Sequence, residues 1–102
     1  MISTLMAMMS DAGNYRERKV DRTTVKGLIV STAYSSDCGY ETAIIDTVKV
    51  HPVERYSNKN EAIIGHKKWV KKAENLEKVI RLGDADGWLK EEEVILKRKV
   101  EP

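Results

Sequence analysis

A single capped helical pattern follows several runs of β-type composition, and this arrangement restricts the chain to a mixed fold. Between residues 58 and 76, residues suited to a buried helix face recur at spacings of three and four: Ala62, His66, Trp69, Ala73 and Leu76. Asn58 is a natural N-cap, and Glu61 stands three residues after it, which is the spacing of a capping box. The pattern predicts one principal helix from about residue 58 to about residue 76.

Five runs have the composition or the alternation of strands, and they cover residues 24–34, 40–46, 48–56, 78–82 and 91–100. The segment SSDCG after the first run is typical of a turn, whereas YRERKVDR before it is typical of a charged connector. Pro52 in the third run suits an edge strand or a bulge, because proline has no amide proton to donate. The pattern predicts an α+β domain in which an antiparallel sheet of four or five strands packs against the helix.

The composition is that of one soluble domain spanning residues 1–102. Hydrophobic residues make up 41% and charged residues 33%, and no apolar run approaches the length that a membrane-spanning helix requires. The chain has no phenylalanine, so Trp69 is expected to be a principal core residue. Cys38 is the single cysteine, which rules out an internal disulfide and fits a reducing cytosol.

A second, shorter helical stripe lies in the first nine residues and consists of Ile2, Leu5, Met6 and Met9. It predicts a short N-terminal amphipathic helix, which is marginal alone and must dock on the sheet or on a second subunit. An edge strand with Pro52 is also only partly protected from pairing with another chain. We therefore expect a homo-oligomer, most simply a two-fold dimer.

His66 is the residue that decides between a chemical role and a packing role for the helix. No second histidine follows it at helical spacing and no cysteine lies nearby, so the usual pairs of a metal site are missing. We expect a structural histidine that is hydrogen-bonded to the backbone or to a tyrosine. His51 could approach it only through the fold, and a metal site would still need carboxylates from elsewhere. We expect no catalytic centre, no metal and no cofactor.

Two further motifs have simpler explanations than a site. Cys38 lies at a turn near Ser35 and Ser36, but no base is committed to activating any of them. The segment GDADGWLKEEE resembles a calcium loop that would begin at Asp84. Gly87 is then the fourth residue of the loop, whereas a calcium loop of the EF-hand type needs its glycine at the sixth. A plain turn between strands is favoured there.

The lysine face of the helix is the nearest approach to a nucleic-acid signal. It could act together with basic residues before the first strand, namely Arg16, Arg18, Lys19 and Arg22. Glu74 and Glu77 interrupt it, however, and the net charge of the whole chain is only +2. A solvated helix face is therefore favoured over phosphate binding.

Several segments in combination resemble a group of small bacteriophage and prophage proteins, chiefly from Firmicutes phages: GNYRERKV, VSTAY, GYETAIID, VHPVERY and EAIIGHKKWV. The resemblance runs from about Gly13 to Val70 or beyond. The residues that carry it are Tyr40, Glu41, Thr42, Gly65, His66 and Trp69. It implies a viral setting without implying a reaction.

The viral setting favours a non-catalytic binding protein in the host cytoplasm. Its target would be a host or phage protein or a small host signalling molecule, which it would inhibit or sequester. The residues expected to contribute to binding are Arg18, Tyr40, Glu41, His66, Lys67, Lys68 and Lys71. A virion accessory protein, a nucleic-acid-binding regulator and a hydrolase that uses His66 or His51 remain as alternatives.

Overall fold

A computed structural model describes residues 19–36, 39–83, 88 and 90–100 of the chain. The elements are, in order, β1 (Lys19–Val25), β2 (Leu28–Ser35), β3 (Gly39–Ile45), β4 (Val50–Tyr56), α1 (Lys59–Ala73), β5 (Lys78–Arg81) and β6 (Glu92–Ile95). The expected N-terminal helix lies outside the described residues, as do Arg18, Cys38 and most of the GDADG segment.

The first four strands form one antiparallel sheet in the order β1-β2-β3-β4, and α1 packs across it. This arrangement confirms the predicted α+β class. The prediction of a connector is wrong at residues 19–22, which belong to β1, and the prediction of one strand at residues 24–34 is wrong because the chain reverses at Lys26 and Gly27. These two residues have φ angles of 45° and 84°, the positive pair that a type I′ hairpin turn requires.

Register places polar and aromatic side chains of the sheet in rows on the side that faces α1. Thr32 of β2 lies opposite Thr42 of β3. In the next row, Tyr40 of β3 lies between Tyr34 of β2 and Tyr56 of β4. Because opposed residues of an antiparallel pair share a face, these rows lie beneath the helix or beside it.

The last two strands form a separate two-stranded antiparallel sheet, so the sheet beneath the helix has four strands, the lower of the two predicted numbers. This second sheet meets β4 where the Leu82 amide donates to the Pro52 carbonyl at 2.9 Å. Pro52 has no amide proton, and the β3–β4 register shifts between Thr42 and Ala43, so the edge of β4 offers no continuous ladder. Pro52 thus lies at both an edge and a bulge, as predicted.

The start of α1 is capped as predicted. The amide of Glu61 donates to Asn58 Oδ1 at 2.9 Å, and Glu61 Oε1 accepts from the amide of Ser57 at 3.1 Å. The helix ends at Ala73, slightly before the predicted end near residue 76. There the Arg98 guanidinium donates to the carbonyls of Ala73 and Leu76, so a cation satisfies the last turn of the helix.

The core lies between the helix and the sheet and is closed at one end by the second sheet. Its buried members are Val25, Leu28, Val30, Ile44, Val53, Ala73, Val79 and Leu96. Trp69 is only half-buried and packs against this cluster from outside, so the expectation that it is a principal core residue is wrong. The reason is the indole N–H, which needs a polar partner and finds it at the rim.

The segment after β6 joins the turn ends of two hairpins. The amide of Lys97 donates to Asp46 Oδ2 at 2.9 Å, and the amide of Thr47 donates to the Lys97 carbonyl at 3.0 Å. Two residues later, the amide of Lys99 donates to the Gly27 carbonyl at 3.0 Å. The β1–β2 and β3–β4 turns are thereby held by one strand-like segment.

Gly65 is a position at which α1 packs closely against the sheet. It is buried, and a β-carbon at this position would collide with the ring of Tyr56. Glycine lowers helix stability by about 1 kcal/mol relative to alanine, so its presence here is explained by the close approach.

Gly65→Ala is expected to lower the free energy of unfolding by about 1–3 kcal/mol, because overpacking against Tyr56 outweighs the gain in helix propensity. Chemical denaturation measures the effect. Asn60→Ala, an exposed substitution in the same helix, is the control and should change stability by less than about 0.5 kcal/mol. A Gly65→Ala variant more stable than the parent would show that the ring moves aside freely.

Candidate functional site

A chain of hydrogen bonds runs through the interface between α1 and the sheet. At its centre, the hydroxyls of Thr32 and Thr42 are buried and lie 2.5 Å apart. Thr32 Oγ1 also lies 2.7 Å from His66 Nδ1, and the Tyr56 hydroxyl lies 2.9 Å from Thr42 Oγ1. Three strands and the helix therefore share one polar network inside an otherwise apolar core.

Both ring nitrogens of His66 have partners. Nε2 lies 2.9 Å from Thr23 Oγ1 and 3.7 Å from Asp21 Oδ2, while Nδ1 faces Thr32. Burial lowers the pKa of His66, and the negative charge of Asp21 opposes this shift only in part. The imidazole is therefore neutral near pH 7, with one donor and one acceptor nitrogen.

Glu54 ends the network on the β4 side. Its Oε1 accepts from Lys68 Nζ at 2.6 Å, Trp69 Nε1 at 2.8 Å and the Tyr56 hydroxyl at 3.2 Å. Burial raises the pKa of Glu54, but these hydrogen bonds and the charge of Lys68 outweigh it and hold the pKa below its usual range. The ionised carboxylate thus fixes the indole at the rim of the core.

Tyr56 connects the threonine pair to Glu54. Burial raises the pKa of Tyr56 to about 12, and the nearby negative charge of Glu54 adds to the effect, whereas the hydrogen bond with Thr42 opposes it. The phenol therefore keeps its proton at neutral pH, and that one proton faces two acceptors.

The single Tyr56 proton gives the network two possible directions. When Tyr56 donates to Glu54, each threonine donates toward Tyr56 and His66 carries its proton on Nδ1. When Tyr56 donates to Thr42, every proton points the other way and His66 donates from Nε2 toward Thr23 and Asp21. In both cases every buried member has a partner, which is what stabilises polar groups inside a core.

The network has the chemistry of a structural element. His66 is buried as expected, but its partners are threonine hydroxyls and not the backbone or a tyrosine. A general base must be within reach of a substrate proton, and the ring of His66 faces its own sheet on both nitrogens. Glu54 is partly exposed, but its depressed pKa makes it a weak base.

His51 is the second buried histidine and lies apart from the network. Its side chain is 3% exposed, and neither ring nitrogen forms a hydrogen bond with the described residues, although Nε2 lies 3.3 Å from Asp46 Oδ2. Burial raises the pKa of Asp46, but the amides of Lys49, Lys97 and Val48 outweigh it and, with His51, bring the pKa to about 2. Because its main partners are backbone amides, Asp46 chiefly holds the turn.

Those of the predicted binding residues that the structure describes occupy four separate places. Tyr40 contacts Tyr34 on the helix side of the sheet, with ring centroids 5.0 Å apart and the ring planes tilted by 59°. Glu41 points to the opposite side and accepts from Arg55 Nε at 2.8 Å. His66 lies inside the core.

Only the predicted lysines share one surface, which also includes two isoleucines. Ile63, Ile64, Lys67, Lys68 and Lys71 are all exposed on α1. Spacings of three and four residues make them neighbours, and we call this surface the outer helix face. Ile64 is 69% exposed, which is unusual for a branched aliphatic residue beside lysines. The two isoleucines are not among the predicted binding residues, although the helical period alone places them beside the lysines.

Comparison of the chain with protein-family models, with curated proteins and with solved structures finds no match. Within the described residues, no cluster of three or more His, Cys, Asp or Glu side chains is arranged to hold a metal ion. None of the described helices has the length and apolar character needed to cross a membrane.

Thr32→Val is expected to lower the free energy of unfolding by about 1–3 kcal/mol, because it leaves His66 Nδ1 and the Thr42 hydroxyl without their shared partner. Chemical denaturation measures the loss. Thr24→Val, on an exposed position of β1, is the control and should be close to neutral. Equal stability of Thr32→Val and the parent would show that the network contributes nothing to folding.

His66 is expected to make the protein less stable in mild acid. Its folded-state pKa lies below the ordinary value of 6.5, so the unfolded chain binds the proton more readily. The contribution of His66 to the free energy of unfolding is therefore fully present above pH 6.5, and it is lost as the pH falls from there toward the folded-state pKa. Denaturation curves between about pH 7.5 and about pH 5 measure the slope, and His66→Gln should flatten it. An unchanged slope in His66→Gln would assign the acid sensitivity to another group.

Proposed function

We propose that this protein is a small, non-catalytic binding protein that engages an acidic segment of a partner protein through the outer helix face. The proposal accords with the resemblance to phage proteins and with action in the host cytoplasm as an inhibitor or sequestering agent. The observation that carries it is the exposed pairing of Ile63 and Ile64 with Lys67, Lys68 and Lys71 on one helix surface.

The non-catalytic part of the proposal is supported by the state of the polar groups inside the fold. Both ring nitrogens of His66 are hydrogen-bonded to threonine hydroxyls, and Glu54 accepts from three donors of its own chain. Groups held in this way stabilise packing and are not free to exchange protons with a substrate.

The chemistry of the outer helix face indicates the kind of partner. Lys67 and Lys71 are exposed, and among the described residues no hydrogen bond or ion pair is formed by either side chain, so both charges are available to a carboxylate. Ile64 offers apolar area one helical turn from Lys67 and Lys68, where exclusion of water strengthens neighbouring charge pairs. A segment with acidic side chains around an apolar anchor complements both features.

A protein partner fits this surface better than a nucleic acid does. Exposed isoleucines have no favourable counterpart on a phosphate backbone. The one aromatic ring on this helix, Trp69, is half-buried and already has Lys68 and Lys72 at 5.7 Å and 4.8 Å from its centroid, so it offers no open platform for a base.

The test is capture from host lysate by the immobilised parent and by matched variants. Lys67→Glu/Lys71→Glu and, separately, Ile64→Asp should each lose a captured protein that the parent retains. Lys26→Glu/Lys99→Glu changes the charge equally at exposed positions that do not belong to the outer helix face and should retain it. The protein identified by mass spectrometry is then titrated against all four forms, and a loss of about tenfold or more in affinity is expected for the outer-face variants alone.

The remaining functional classes are outcomes of the same experiment. Equal capture by all four forms would contradict the proposed surface. Binding of a labelled single-stranded or double-stranded DNA with a steep salt dependence would instead favour the nucleic-acid alternative. Recovery of the protein in purified phage particles would favour the virion alternative.

A further inference from the structure

The outward side of the second sheet carries four exposed side chains in an alternating arrangement. Lys78 of β5 lies opposite Ile95 of β6, and in the next outward row Ile80 of β5 lies opposite Glu93 of β6. Ile80 and Ile95 are 52% and 66% exposed. The two strands bury Val79 and Val94 on their other side, so this outward side belongs to no core within the described residues.

The charges lie on one diagonal of this four-residue patch and the isoleucines on the other. Lys78 Nζ is 3.2 Å from Glu93 Oε2, and both side chains are more than half exposed. A two-fold axis along the Ile80–Ile95 diagonal brings each isoleucine against its own copy. The same rotation places Lys78 over the partner's Glu93 and Glu93 over the partner's Lys78.

We propose that this outward side of β5 and β6 is a self-association surface, on which a second copy of the chain packs by two-fold symmetry. The occupant follows from charge complementarity, because a patch with one cation, one anion and two matched apolar residues is complementary to itself. In the dimer, the Lys78–Glu93 pair of one copy faces the same pair of the other copy, and each lysine lies over a glutamate. The isoleucines of both copies meet between these charges. Such a patch is small, so we expect a weak, concentration-dependent dimer.

This surface differs from those that suggested a dimer in the sequence. The Met-rich stripe lies outside the described residues, and the Pro52 carbonyl at the edge of β4 already accepts from the amide of Leu82, the residue after β5. The patch is also made of residues other than those of the outer helix face, so the inference does not depend on the proposed function.

A charge-swap experiment tests the arrangement directly. Sedimentation over a wide concentration range is compared for the parent, Lys78→Glu, Glu93→Lys, the double variant Lys78→Glu/Glu93→Lys, and an equimolar mixture of the two single variants. Each single variant places like charges across the two-fold axis and should dimerise at least about tenfold more weakly. The double variant and the mixture restore opposite charges across the axis and should dimerise as the parent does.

The mixture separates self-association from effects within one chain. In the mixture, each single variant still has two like charges within its own second sheet. Recovered dimerisation can therefore arise only from contact between chains. Ile80→Thr, which keeps a β-branched residue, should also weaken the dimer about tenfold or more, whereas Ile64→Asp on the outer helix face should not. Circular dichroism confirms that each variant is folded.

Two results would overturn the inference. One is a parent that is monomeric at every concentration. The other is a mixture that dimerises no better than the single variants do.

Discussion

The seating of α1 on the sheet at Gly65 is the contact on which the rest of the structure depends. Because Gly65 has no β-carbon, the helix backbone packs directly against the Tyr56 ring, and the side chain of the next residue, His66, is buried in the core. A buried imidazole needs hydrogen-bond partners, and the sheet supplies them as the hydroxyls of Thr23 and Thr32 on the adjacent strands β1 and β2, with Thr42 bonded in turn to Thr32. Helix position, strand register and core polarity therefore depend on one another, and a looser helix would leave both ring nitrogens of His66 without their partners.

The features that could be predicted from sequence are those encoded within a few residues. The Asn58 cap depends on neighbouring amides, and the place of Pro52 follows from its missing amide proton. The turn at Lys26 and Gly27 escaped prediction because lysine at a positive φ is uncommon, so the preceding residues resembled a connector. The threonine partners of His66 lie at sequence separations of 34 and 43 residues, and only the register of the folded sheet brings them together.

One of the two candidate surfaces could be predicted from local sequence, and the other depends on the register of the folded chain. The lysines of α1 could be grouped by helical period alone, and Ile64 belonged with them by the same reasoning. The patch around Ile80 could not be recognised, because its pattern exists only across two paired strands. The two surfaces lie on different elements, and the buried network between sheet and helix keeps α1 in a fixed position, which presents its outer face as a rigid platform.

The segment that joins the two hairpin turns has a consequence for how the chain reaches this state during synthesis. Arg98 contacts the Lys26 carbonyl across a sequence separation of 72 residues, and Leu96 completes the core beside Leu28. On the ribosome, the sheet and α1 emerge well before their last core partner does. One end of the core of the nascent domain therefore stays exposed to water until Leu96 has emerged. During this time, chaperone binding or aggregation competes with folding.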